Sequence, residues 1–181
     1  TDEGFRNVVR RGTEIVDADV AHSVHVQASG LEPSRWYWYR FTAGGEASAT
    51  GRTRTAPAPG REEALAFAIA SCQRYDDGHY AAWRHLADEA PDLVVFLGDY
   101  IYESAPRKDR VRTHSGSGAA KTLDDYRARY AQYKSDADLR RIHASAPWIL
   151  TWDDHEVQND YANDRGQDLA PDFLARRAAA Y

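Results

Sequence analysis

A chain of 181 residues, 43% hydrophobic and 28% charged, has the make-up of a globular protein, and its length fits one medium domain or a small domain joined to part of another. Its net charge of -5 argues against non-specific nucleic-acid binding, which needs a basic face that displaces phosphate counterions. No apolar run approaches the roughly 20 residues of a membrane span, a lone cysteine cannot form an intrachain disulfide, and in the absence of methionine Thr1 is not read as a translational start.

In chain order, Ser23-Val24-His25-Val26-Gln27-Ala28 alternates polar and apolar residues and predicts a strand, which Gly30-Leu31-Glu32-Pro33 closes with a turn. Arg35 to Thr42 predicts a second strand rich in aromatic residues, Gly44-Gly45 a hairpin turn, and Ala47 to Thr53 the returning strand. Residues 1–55 are thus expected to form a small antiparallel β module, part of an immunoglobulin- or fibronectin III-like sandwich, since a whole one takes roughly 100 residues. Residues 56–61, rich in Pro and Ala, read as a stiff linker.

From residue 62 to 181 the pattern changes to α/β. Ala64 to Ala70 and Leu93 to Leu97 are continuously apolar, as strands buried on both faces would be, and Tyr80 to Glu89 between them has helical spacing ended by Pro91. Ser104 to Ala120 reads as a long exposed loop, Thr122 to Lys134 and Asp136 to Ala144 as helices, Pro147 to Trp152 as a third buried strand, and Phe173 to Tyr181 as a helix.

Three clusters each follow a predicted strand: Ser71-Cys72-Gln73, Gly98-Asp99-Tyr100-Ile101-Tyr102, and Trp152-Asp153-Asp154-His155-Glu156. In a parallel sheet such loops converge at one edge, where a thiol, carboxylates, a phenol and an imidazole together would suit a highly charged iron beside an oxygen-seeking ion such as calcium. Taken singly, each has a structural reading as well: Cys72 as a small buried hydrophobe, Asp99 as a turn residue, Tyr102 as core, and Asp153-Asp154-His155 as a solvated helix cap. Arg74, Arg107, Lys108, Arg110 and Arg112 read either as solvated charges or as an attractive field for an anionic substrate. His79, His85, His114 and His143 lack ligand spacing and receive no role.

The glycine-led cluster, Gly98-Asp99-Tyr100-Ile101-Tyr102, resembles the GDxxY motif of metallophosphoesterases with a ferric centre. Trp152-Asp153-Asp154-His155-Glu156 is similar to a variant of their GNH[DE] motif, with Asp154 at the asparagine position. Ala70-Ser71-Cys72-Gln73, Ala131 to Asp136 and the Gly30 to Pro33 turn resemble the PhoD family of alkaline phosphatases. That resemblance implies a metallophosphoesterase-like core, incomplete and preceded by the β module. It implies a ferric ion (Fe3+) held by Cys72, Asp99 and Tyr102, with calcium (Ca2+) shared through Asp99 and held by Asp154. It also implies His155 as a proton donor, Asn159 as a hydrogen-bond donor to a phosphate oxygen or as a loop hydrogen-bonding residue, a phosphate ester as substrate, and an extracytoplasmic location. Monoesterase and phosphodiesterase activity, including a phospholipase D reading, stay open beside that of a non-catalytic surface-binding module. Nothing after His155 offers a Gly-Asp-x-His or His-x-His pattern, so the metal site is expected to be incomplete and the 181-residue chain inactive by itself.

Overall fold

The computed structural model describes residues 2–181. Strand β1 (Trp36–Tyr39) pairs antiparallel with β4 (Gly51–Arg54), and between them β2 (Thr42–Ala43) and β3 (Glu46–Ala47) form the hairpin tip that Gly44-Gly45 turns. Both turn glycines have positive φ, 58° and 86°, which side chains disfavour. The expected single strands on either side of the turn are therefore each broken in two.

Ser23 to Ala28 is not a strand. Its alternation supplies one apolar face, but a strand also needs a ladder partner for its backbone groups, and no described segment pairs with it. Val26 stands 52% exposed as a result.

The second part is a three-stranded parallel sheet ordered β5 (Phe67–Ala70), β6 (Leu93–Phe96), β7 (Trp148–Leu150). Helix α1 (Ala81–Glu89) connects the first two strands, ending at Ala90 with a left-handed φ of 51° just before Pro91. Helices α2 (Leu123–Lys134) and α3 (Ala137–Ser145) connect the next two, and α4 (Phe173–Ala180) follows. The start of α2 is set by a capping box in which Thr122 and Asp125 accept each other's backbone N–H groups, and that of α3 by the Asp136 carboxylate, which accepts from Asp138 and Leu139.

The strands are not buried on both faces as their sequences suggest. Register places Phe67 opposite Leu93, and Ile69, Val95 and Ile149 in a row, so these residues share one face. Phe67, Ile69 and Ile149 on it are more than half exposed, while Val94 and Phe96 on the other face are wholly buried. The helices cover only that second face, where Trp83, Phe96, Tyr100 and Trp148 pack with ring centroids 5.3–6.5 Å apart.

Two arginines of β4 tie the β hairpin to this layer. Arg52 donates from Nε to the Ser145 carbonyl at 2.5 Å with its guanidinium 4.2 Å above the Trp36 ring, and Arg54 donates to Asp92 at 2.5 Å.

Candidate metal centre

The C-terminal ends of the three parallel strands meet, as the positions of the clusters imply. Backbone bonds continue past the strands: Cys72 N–H donates to the Gly98 carbonyl and Gln73 N–H to the Asp99 carbonyl, both at 3.1 Å. Gly98 makes the next approach possible. Its φ is +107°, and a Cβ there would lie 2.6 Å from the Asp153 nitrogen, so only glycine lets the β6 and β7 loops touch.

The Glu156 carboxylate joins those loops. Fully buried, it accepts backbone N–H groups of Asp99 at 3.1 Å, Asp153 at 2.8 Å and Tyr100 in a shorter contact. Burial raises the Glu156 pKa, against the pull of those three donors. Sequence reading gives Glu156 no task of its own, because two of the three groups it binds, the Asp99 and Tyr100 N–H, lie more than 50 residues away. Glu156→Gln should turn one acceptor into a donor facing a buried N–H and lower stability by roughly 1–3 kcal/mol. Urea unfolding measures this; a loss under about 0.5 kcal/mol, within the range of ordinary surface changes, would show that other contacts hold the loops.

Asp99, Asp154 and His155 come together, with one ligand atom from each within 4.8 Å of the others. Asp99 Oδ2 accepts the Tyr102 hydroxyl proton at 2.9 Å, while Asp99 Oδ1 is buried and has no hydrogen-bond partner among the described residues. A buried carboxylate oxygen left bare is costly unless a cation meets it. Burial first, then the Asp99 carboxylate and the Cys72 thiol, raise the Tyr102 pKa.

Cys72 is not the small core residue of its structural reading. It is exposed, and its φ of 59° is one that non-glycine residues other than Asn and Asp seldom adopt; Asp99 shares it at 57°. The left-handed backbone at Cys72, together with the bare Asp99 oxygen, would suit a donor set of thiolate, phenolate and carboxylate for a highly charged ion.

His155 Nδ1 lies 2.7 Å from Glu103 Oε2, and its ring sits 4.1 Å from that of Tyr102. Burial lowers the imidazole pKa, but Glu103, with smaller help from Asp99 and Asp154, outweighs it and holds the group above its ordinary value. Asn159 turns its amide away from this group: Nδ2 donates to Asp160 at 2.8 Å and Gln167 at 3.1 Å, and its backbone N–H donates to Glu103 at 3.0 Å.

Of the basic residues, Lys108 is exposed as a solvated charge would be, while the four arginines are engaged in ion pairs. Arg74 and Arg107 both bind the buried Asp76 carboxylate, Arg107 and Arg110 bind Asp77, and Arg112 binds Asp136 at 2.6 Å. They anchor the loop that the sequence predicts to be exposed, and His114 within it is buried. Arg74 additionally lies 4.6 Å over the Tyr102 ring. A further tie is Tyr133, whose hydroxyl accepts the backbone N–H groups of Tyr75 and Tyr102 at 3.1 Å and lies 3.0 Å from His114 Nε2. With two donors already on its oxygen, the hydroxyl proton is directed at that nitrogen.

Residues 67–181 match the family model described as PhoD-like phosphatase, and residues 1–57 match that of a PhoD-like phosphatase N-terminal domain. The chain is 53% identical over 189 aligned positions to a protein of Bacillus subtilis (strain 168) named alkaline phosphatase D, covering 99% of this chain and 32% of that relative. It superimposes with a TM-score of 0.94 on a solved structure titled "Structure of PhoD", at 53% identity over 99% of this chain and 36% of the other. The chain therefore spans about a third of the length of the relatives it matches.

Proposed function

The chain belongs to the PhoD-like phosphatase family, and from that membership we propose that it forms part of a metal-dependent phosphoester hydrolase whose centre lies at the ends of β5, β6 and β7. The observation that carries this reading is the buried, partnerless Asp99 oxygen beside a phenol, a thiol, a second carboxylate and an imidazole. In this reading Cys72, Asp99 and Tyr102 hold a ferric ion, and Asp99 and Asp154 hold calcium. Ions so bound supply charge that acidifies a water and neutralises the phosphoryl oxygens.

The remaining work belongs to the side chains. Asp99 stands in a left-handed turn whose N–H is held by Glu156, so its position does not depend on its ligand. His155 presents its ring from a site where Glu103 holds Nδ1, leaving Nε2 to carry a proton to the departing oxygen. Asn159 contributes by holding its loop to Glu103 rather than by touching phosphate.

The finer architecture belongs to the same proposal: a β sandwich portion over 1–55, a linker over 56–61 and a metallophosphoesterase-like layer over 62–181. Supporting it are the change from antiparallel to parallel pairing and the separate family matches on either side. An extracytoplasmic location follows from the family reading and is checked by cell fractionation.

Iron content and colour test the function without relying on turnover. The purified protein should hold iron and absorb visible light by phenolate-to-iron charge transfer, and Tyr102→Phe should remove that band. A protein that takes up no iron would favour a binding module instead. Aryl phosphate monoester and diester substrates, compared on an iron-loaded sample of the complete hydrolase, separate phosphatase from phosphodiesterase.

A further inference from the structure

Glu103 lies outside both motifs, directly after the glycine-led one, yet it is 4% exposed and both of its oxygens are engaged. Oε2 meets His155 Nδ1 at 2.7 Å, and Oε1 accepts the Asn159 backbone N–H at 3.0 Å. Arg176 Nη2, otherwise without a hydrogen-bond partner, stands 3.9 Å from Oε1. A buried carboxylate that contacts the imidazole, the following loop and a buried guanidinium is more than helix or turn chemistry requires.

We propose that Glu103 is a positioning residue that fixes the tautomer of His155, keeping one proton on Nδ1 so that Nε2 is the nitrogen that takes up and releases the second. The argument is one of donor and acceptor counting. An ionised carboxylate only accepts, so a neutral imidazole at 2.7 Å must place its N–H on Nδ1. An isolated histidine side chain favours the proton on Nε2, so the protein sets the less common form. Turning the ring over would put a carbon where Nδ1 meets Glu103 and forfeit that 2.7 Å contact. Because Asn159 N–H occupies the other oxygen, Glu103 is itself held, which makes it a rigid support rather than an adaptable one.

This rests on the reading of His155 as a proton-handling residue, but its test needs neither metal nor substrate. Ring-nitrogen NMR of 15N-histidine-labelled protein at about pH 9, where imidazoles are neutral, reads the tautomer directly, with the His155 signals assigned by their absence in His155→Gln. The wild-type protein should show Nδ1–H at His155, and Glu103→Ala should interchange the two ring shifts toward Nε2–H. A wild-type His155 protonated on Nε2 overturns the proposal even if the variant fails to fold. So does a folded Glu103→Ala that keeps Nδ1–H. Absence of phosphatase activity in the complete hydrolase of which this chain is proposed to form part would sink the functional reading and leave the tautomer result standing.

Discussion

In the complete hydrolase of which this chain is proposed to form part, Asp99→Asn should strip bound metal and lower turnover by at least the roughly 100-fold that loss of a single outer support can cost. Asp99 offers two distinct oxygens: Oδ2, which takes the Tyr102 hydroxyl, and Oδ1, buried without a partner. Asparagine keeps one of these as an acceptor and replaces the other by an N–H2 group with no negative charge, so either the phenol or the bare position loses its anion. The backbone gives the variant little reason to unfold, because asparagine tolerates the left-handed φ of 57° as well as aspartate does. The fold-neutral character is what makes the experiment informative. Iron and calcium content, turnover of an aryl phosphate and the urea midpoint are measured on the same preparation. Full activity with unchanged metal would remove Asp99 from the centre.

The local pattern made the strand ends and their clusters readable, because β5, β6 and β7 are each a continuous apolar run, although one face of them is open, and the loop after a parallel strand inherits a fixed place at the sheet edge. The helices were readable to within a residue or two for a similar reason: Thr122, Asp136 and Pro91 mark their ends chemically. Ser23 to Ala28 shows the limit of such reading, since alternation reports a face but not a partner. The supports of the site escaped because each joins residues far apart in sequence. Glu103 meets His155 across 52 positions and Tyr133 meets Tyr75 across 58, and no spacing rule covers such distances. The basic stretch from Arg107 to Arg112 misled in the same way, as its partners Asp76, Asp77 and Asp136 lie on other elements.

Acid should unfold the protein well before its carboxylates are neutralised, because two enclosed histidines stay neutral in the fold. Burial, with Arg129 nearby, lowers His114 to about 4, and burial, with Lys134, lowers His143 to about 4. His114 is packed against Tyr133 and Tyr75, and His143 lies flat on Trp148 at 3.9 Å while meeting the Tyr100 hydroxyl at 2.8 Å. Both folded values fall below the ordinary 6.5. The unfolded chain therefore binds protons that the native state refuses, and the neutral histidines' contribution is complete above about pH 6.5 and lost as pH falls toward 4. The slope is about 1.4 kcal/mol per pH unit for each histidine within that window. His155, held above its ordinary value, runs the other way: its contribution is present at low pH and lost as pH rises through its folded value. Asp76, held at about 2 against the opposing effect of burial by Arg107, His114 and Arg74, adds its own loss only below about 3.8. Urea midpoints at about pH 8, 6 and 4.5 should fall steeply between the last two. In His114→Gln, where the amide oxygen can still accept the Tyr133 hydroxyl, that fall should lessen by about one histidine's slope even if the variant starts from lower stability. A midpoint that is flat across the window would show that these imidazoles take up protons in the native state, and the polar ties from Tyr133 to the Tyr102 loop would then have to survive a charged His114.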